Sequence, residues 1–150
     1  MGSATVLIGL ALCVLLFADE LVRATTHHTI PAPFELPAGV EIRLAPRLTR
    51  VIGAPSGGAS AVTIGRTILV PNVRVLSGGR EARRVMRTTG DTLVVSRAVW
   101  EHVMRHELVH VQQRERHGRW YLPLYVYWYI RRGYVAHPFE LEAVSAAWHK

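Results

Sequence analysis

The chain has 150 residues, enough for one domain with a hydrophobic core but too few for two domains of ordinary size. Hydrophobic residues make up 49% and charged residues 19% of the sequence, a balance that excludes an intrinsically disordered protein. The net charge is +7, but the arginines are scattered and match no RNP, zinc-finger or basic-zipper pattern, so no specific nucleic-acid partner is predicted. Cys13 is the only cysteine, which excludes an intramolecular disulfide and a thiolate metal site. Any metal ion must therefore be held by histidine and carboxylate.

The sequence begins with an uninterrupted apolar run, Val6 to Ala18 (VLIGLALCVLLFA). This run is short for a transmembrane helix and is typical of the hydrophobic part of a signal peptide. We predict that residues 1–24 form a signal peptide or an N-terminal membrane anchor. The protein would then be secreted or membrane-anchored in a bacterial-type cell envelope. A buried N-terminal helix is the alternative.

Residues 25–39 (TTHHTIPAPFELPAG) are polar and rich in proline, and they are predicted to form a linker. Residues 40–150 are predicted to form a single domain. Its first elements are a strand over Val40–Leu44, one or two short strands within Ala61–Leu76, a short helix over Glu81–Arg87, and a strand or the approach to a helix over Thr92–Val95.

The strongest helix prediction covers Arg97 to His117, a segment without proline or glycine. Ser96 is a suitable N-cap, and Gly118 is a natural stop after the last turn. Apolar residues occur on more than one face of this segment, which is typical of a central, buried helix.

Two further helices are predicted towards the C-terminus. Tyr121 to Ile130 (YLPLYVYWYI) is strongly aromatic and too short to cross a bilayer. It is predicted to pack against the domain core, with a membrane-interface helix as the alternative. Pro138 at a first helical position opens the last helix, which runs from Phe139 to about His149.

The central helix carries the motif HExxH at positions 106 to 110. Residues four apart share one helix face, so the imidazoles of His106 and His110 can reach one metal ion. Glu107 lies about 100° around the axis from His106. It is therefore the candidate catalytic base, placed to take a proton from a zinc-bound water.

A catalytic zinc ion needs a third protein ligand and an open position. The metzincin pattern would require histidine at position 116 and glycine at position 113, but the chain has Arg116 and Gln113 there. Acids at the start of the last helix are better candidates, and Glu140 is favoured over Glu142. The alternative is that both acids only stabilise the N-terminus of that helix.

Three stretches carry a resemblance to a known class of domain: Ala61–Val70 (AVTIGRTILV), His106–Gln113 (HELVHVQQ) and His137–Ala143 (HPFELEA). On these stretches the chain resembles the small bacterial zincin-like, gluzincin-type (HExxH…E) metallopeptidase domains of unknown function. The resemblance implies a short mixed sheet over an active-site helix, with Glu140 as the third metal ligand. It also implies that Arg80 to Gly90 is an insertion between the strand and the helix.

The expected fold is α+β: a minimal zincin-like domain in which a short mixed or antiparallel sheet packs on the central HExxH helix, followed by C-terminal helices. The expected function is zinc-dependent hydrolysis of peptide bonds in a peptide or protein substrate, with possible membrane association through the N-terminal segment. Tyr134 and His137 are candidates to polarise the substrate carbonyl. The alternatives are a non-catalytic binding module stabilised by zinc, and a basic protein that binds membrane surfaces or nucleic acid.

Overall fold

The computed structural model describes residue 22 and residues 29–53, 61–76, 86–89 and 92–148. Apart from Val22, the predicted signal or anchor segment lies outside these described residues. No helix within the described ranges combines the length and apolarity needed to cross a bilayer. Of the predicted linker, residues 29–39 are described. They form no helix, but Ile30, Phe34 and Leu36 pack against the domain core.

The described strands form two small sheets rather than the single sheet that the sequence predicts. They are β1 (Glu41–Leu44), β2 (Val62–Ile64), β3 (Thr67–Val70), β4 (Asn72–Leu76), β5 (Met86–Thr89) and β6 (Thr92–Ser96). The strand orders are β1-β3-β2 and β4-β6-β5. In each sheet the central strand pairs in parallel with one neighbour and antiparallel with the other. Only Pro71 separates β3 from β4. Because proline has no N–H to donate to a neighbouring strand, the hydrogen bonding of the first sheet can end there and that of the second sheet begin.

The predicted short helix over Glu81–Arg87 is wrong for its last two residues, which belong to β5. The same strand lies inside the segment that the resemblance treats as an insertion. β5 pairs antiparallel with β6, whose residues Leu93 to Val95 are buried. Pairing with a buried strand outweighs the weak local preference for helix at these positions.

Four helices are described: α1 (Pro46–Gly53), α2 (Arg97–His117), α3 (Tyr121–Arg132) and α4 (Pro138–Trp148), and a 3-10 turn, Gly118–Trp120, joins α2 to α3. The central helix α2 has its predicted bounds. At its start, the Ser96 hydroxyl accepts a hydrogen bond from the N–H of Val99. At its end, Gly118 has a φ of 59°, a conformation that glycine adopts without steric cost.

The main core lies between the sheets and α2. The strands contribute Ile42, Ile68, Val70, Leu93 and Val95, and α2 contributes Trp100, Met104 and Val111. With these residues α2 is anchored to the strands, while another part of its surface packs against α4. The small and aromatic side chains of Phe139, Ala143 and Ala147 are buried along α4 at four-residue spacing. This pairing of α2 with α4 positions the candidate metal ligands.

Candidate metal centre

The three predicted metal ligands come from the two paired helices. α2 presents His106 and His110 one helical turn apart, and α4 presents Glu140 in its first turn. One potential ligand atom from each of these residues lies within 4.8 Å of the other two. The structure therefore contains a His-His-Glu cluster of a size that fits a single ion.

The spacing of the ligand atoms can be compared with that of a metal site. Nε2 of His106 is 3.1 Å from Nε2 of His110 and 3.2 Å from Oε2 of Glu140. Nε2 of His110 is 3.3 Å from Oε1 of Glu140. Ligand atoms bound tetrahedrally at about 2.0–2.1 Å from zinc are about 3.3 Å from one another. Each of the three separations is close to this value, and because His106 and His110 contact different oxygens of Glu140, they are pairwise separations rather than the edges of one tetrahedral face.

The tautomer of His110 follows from its partner Gln113, which is fully buried. The Gln113 amide nitrogen donates to the backbone oxygen of Phe139 and to a carboxylate oxygen of Glu142, both at 3.0 Å. Its amide oxygen must then be the atom that faces Nδ1 of His110 at 2.8 Å. Nδ1 consequently carries a hydrogen, and the lone pair of a neutral His110 is on Nε2, directed into the cluster.

Glu140 is held by a tyrosine and has an oxygen without a hydrogen bond. The Tyr125 hydroxyl donates to Oε1 of Glu140 at 2.5 Å. Oε2 is buried, and no donor among the described residues meets it in hydrogen-bonding geometry. A buried carboxylate oxygen without a donor is costly. A cation between this oxygen and the two imidazole nitrogens would remove that cost, so the donor set fits a metal ion.

The protein groups alone produce strongly shifted pKa values in this cluster. Burial lowers the pKa of His110, but the interaction with Glu140 and the charge of Glu107 outweigh it and raise the pKa to about 9. Burial would raise the pKa of Glu140, but His106 and His110 hold it well below its usual range. Burial and the nearby Glu140 carboxylate raise the pKa of Tyr125 far above its usual value. The carboxylate is therefore ionised and the tyrosine neutral at physiological pH.

The candidate base Glu107 is buried next to this cluster. The Thr63 hydroxyl, from β2, donates to its Oε2 at 2.6 Å. The same hydroxyl is 3.2 Å from the backbone oxygen of Glu107. One carboxylate oxygen is thus held in place by the first sheet.

Two other sequence candidates lie elsewhere. Glu142, the alternative third ligand, contacts Gln113 and forms an ion pair with Arg116 at 3.1 Å. The structure therefore brings Glu140, and not Glu142, to the two histidines. His137 is fully buried, and its ring nitrogens lie 3.0 Å from the backbone oxygen of Tyr125 and 3.1 Å from the N–H of Phe139. With both nitrogens engaged by backbone, His137 has no atom left for a substrate carbonyl.

Sequence reasoning missed three residues that support the cluster: Thr63, Gln113 and Tyr125. A signal existed for Gln113, because a residue three positions after the second histidine shares its helix face and metal-bound histidines commonly bond a second group. Thr63 and Tyr125 had no such signal. Their roles depend on the position of β2 and α3 in the folded chain.

No family model matches this chain, and neither a curated protein nor a solved structure matches it. The geometry of the cluster, together with the motifs on its two helices, is therefore the basis for any functional conclusion.

Proposed function

We propose that this chain is a zinc-dependent metallopeptidase, with His106, His110 and Glu140 as the metal ligands and Glu107 as the catalytic base. The observation that carries the proposal is the convergence of two imidazole nitrogens and a carboxylate at 3.1–3.3 Å from one another. A set of two histidines and one glutamate most often binds zinc and leaves a fourth position open.

A bound zinc ion would polarise the substrate carbonyl and lower the pKa of a water molecule towards about 7. In this chain Glu107 would accept the proton of that water and then deliver it to the departing amine. The Thr63 hydroxyl holds one oxygen of Glu107, so the carboxylate keeps its orientation while the proton moves. Hydrogen bonds also orient two of the ligands: Tyr125 orients Glu140, and Gln113 orients His110.

The solvent exposure of the ligands indicates where a substrate would approach. The side chain of His106 is 17% exposed, whereas those of His110 and Glu140 are 6% and 7% exposed. On this proposal, water and substrate would reach the cluster from the side of His106. Tyr134, whose pKa is raised by burial and by Glu140, lies near the same carboxylate and is itself partly exposed. Tyr134 therefore remains our candidate to polarise the substrate carbonyl.

The first test is the metal content per chain, measured by elemental analysis after purification with zinc. The wild type should contain about one zinc per chain, by the stoichiometry of a single His-His-Glu site. His110→Ala and Glu140→Ala should lose it. Glu142→Ala is the matched control, because Glu142 is an acid on the same helix that faces Gln113 and Arg116 instead. A wild-type chain without zinc, or a control that loses as much zinc as Glu140→Ala, would contradict the ligand assignment.

The second test separates catalysis from metal binding. Glu107→Gln removes the base but keeps its size, so it should retain zinc while abolishing peptide hydrolysis. Hydrolysis is measured as new N-termini in a mixture of denatured proteins, analysed by mass spectrometry. Equal activity of Glu107→Gln and wild type would exclude the proposed base. Zinc binding with no hydrolysis by the wild type would favour the alternative, a binding module stabilised by zinc.

A further inference from the structure

The helix α3 is apolar over most of its length yet contributes little to the core. Ten of its 12 residues are apolar or aromatic, but only Tyr121 is buried. In α3 the side chains of Val126, Tyr127 and Ile130 are exposed, as are Trp120 directly before the helix and Val135 shortly after it, and Ile130 is 76% exposed. We call these five residues the outer face of α3. Isolated apolar residues on a surface are ordinary, but a helix with this much exposed apolar area marks a contact site.

The inner side of α3 is attached to the domain through Tyr121 and Tyr125. The ring of Tyr121 stacks on Phe139 with a centroid distance of 5.4 Å, and the Tyr125 hydroxyl binds Glu140. The outer face therefore cannot turn inwards without breaking these contacts. At 12 residues α3 is about 18 Å long, which is too short to cross a bilayer but long enough to lie along its surface.

The charged residues of the sequence segment that contains α3 have one sign. Between Glu115 and Glu140 the sequence contains four arginines and no acid. Arg119 and Arg131 are exposed at the two ends of α3, whereas Arg132, also exposed, lies seven residues after Tyr125 and therefore on the inner side of the helix. The guanidinium of Arg132 also lies 4.9 Å from the centre of the Trp128 ring. Segments that lie in the headgroup region of a membrane are rich in tyrosine and tryptophan with arginine close by, and α3 has this composition.

We propose that the outer face of α3 docks on an anionic lipid surface, with the helix parallel to the membrane plane. The exposed arginines would contact lipid phosphates, and Ile130, Tyr127 and Trp120 would enter the boundary with the acyl chains. A second copy of this chain fits the face less well. A symmetric contact would bring the same arginines of two copies together without an acid on this stretch to separate them. The proposal does not depend on catalysis by the metal centre.

The test uses the full chain in vesicles, with Cys13→Ser to remove the natural thiol. A fluorophore that responds to polarity is attached at Ile130→Cys. The matched control carries the label at Met86→Cys, since Met86 is also apolar and exposed, at 52%, but belongs to β5. Vesicles contain either equal parts of phosphatidylglycerol and phosphatidylcholine or phosphatidylcholine alone. The predicted N-terminal signal or anchor segment is the same in every variant, so any difference reports on the label site.

In the anionic vesicles, the label at position 130 should be quenched by a lipid-attached quencher and protected from aqueous acrylamide. The label at position 86 should show neither effect. Arg119→Gln with Arg131→Gln should lower the ratio of docked to undocked chains about 30-fold, at about 1 kcal/mol for each arginine near an anionic surface. Vesicles of phosphatidylcholine alone, and high salt, should weaken docking in the same direction.

Three results would overturn the proposal. In anionic vesicles, the label at position 130 could be as accessible to acrylamide as the label at position 86, which would mean that the outer face is exposed to water. Protection could increase with the ratio of protein to lipid, in which case a second copy covers the face. Protection could also be equal in both lipids and insensitive to the arginines, which would show that anionic headgroups do not determine docking. Circular dichroism and thermal unfolding of each variant verify that the fold is retained.

Discussion

Two threonines of the first sheet differ in what their hydroxyl groups contact. Thr67 is 1% exposed, and among the described residues its hydroxyl has no hydrogen-bond partner. A buried hydroxyl without a partner costs about 1–3 kcal/mol relative to water. Thr67→Val, which replaces the hydroxyl by a methyl group of similar shape, should therefore raise the free energy of unfolding by about 1 kcal/mol. Denaturant unfolding measures the change, and a loss of stability would show that the hydroxyl has a partner.

Unlike the Thr67 hydroxyl, the Thr63 hydroxyl has a partner, because it donates to the carboxylate of Glu107. Thr63→Val should leave the zinc content unchanged and lower the rate of peptide hydrolysis about 10–100-fold, the usual cost of removing a group that orients a metal-site residue. Thr67→Val serves as its control, since the same chemical change on the neighbouring strand should not affect hydrolysis. A large loss of zinc in Thr63→Val would instead make Thr63 part of the metal-binding framework.

Gln113 joins His110 on α2 to Phe139 and Glu142 on α4 through a single amide group. Gln113→Ala should weaken zinc affinity about 10–100-fold, because His110 loses the acceptor that sets its tautomer. The neighbouring Gln112 is exposed on the same helix, so Gln112→Ala should leave zinc affinity unchanged. Competition with a zinc-sensitive dye measures both. Equal affinities for the two variants would mean that His110 is oriented without Gln113.

At the scale of elements, the start of α2 depends on one side chain. The hydroxyl of Ser96 accepts a hydrogen bond from the N–H of Val99 at 3.4 Å, and Ser96 itself is buried. Ser96→Ala should lower the free energy of unfolding by about 1 kcal/mol, the typical value of an N-cap. Ser145 is exposed within α4, so Ser145→Ala should be neutral or slightly stabilising. Thermal unfolding of both variants tests this, and an unchanged Ser96→Ala would exclude a capping role.

Elements with local signals at both ends could be predicted from the sequence. Ser96 and Gly118 gave α2 its correct bounds, and Pro138 gave the start of α4. The periodicity of HExxH placed both histidines on one face of α2. Because these signals depend only on residues a few positions apart, contacts with distant parts of the chain do not change the helix ends that they predict.

Features that depend on distant contacts could not be predicted. The strands form two sheets where one was expected, and in each sheet a parallel pair, β1 with β3 and β4 with β6, joins strands about 20 or more residues apart. At Met86 and Arg87, the two described residues of the helix predicted over Glu81–Arg87, pairing of β5 with β6 replaced the helix; residues 81–85 lie outside the described residues. For α3, periodicity could not tell which partner its aromatic residues meet, and the prediction that it packs against the core holds for Tyr121 but not for the outer face.

For the molecule as a whole, zinc should act as a stabilising ligand. The ligands come from α2 and α4, so an ion bound by the folded chain opposes separation of these helices. At a free zinc concentration of 100 times the dissociation constant, the free energy of unfolding should rise by about 2.7 kcal/mol. A chelator titration followed by thermal unfolding measures this. His110→Ala should show no dependence on zinc, and a wild-type melting temperature insensitive to chelator would contradict a metal site.

The pairing of α2 with α4 also bears on how the chain refolds. His106, His110 and Glu140 lie within 35 residues of sequence, in a segment that is almost entirely helical. Thr63, by contrast, is 44 residues from Glu107 and belongs to a strand whose sheet includes a parallel crossover. Contacts between nearby residues form faster than contacts that close long loops. The three helices should thus be able to capture an ion before the sheets are complete. Zinc supplied at the start of refolding would then accelerate the formation of native protein, and the orientation of Glu107 would be the later event.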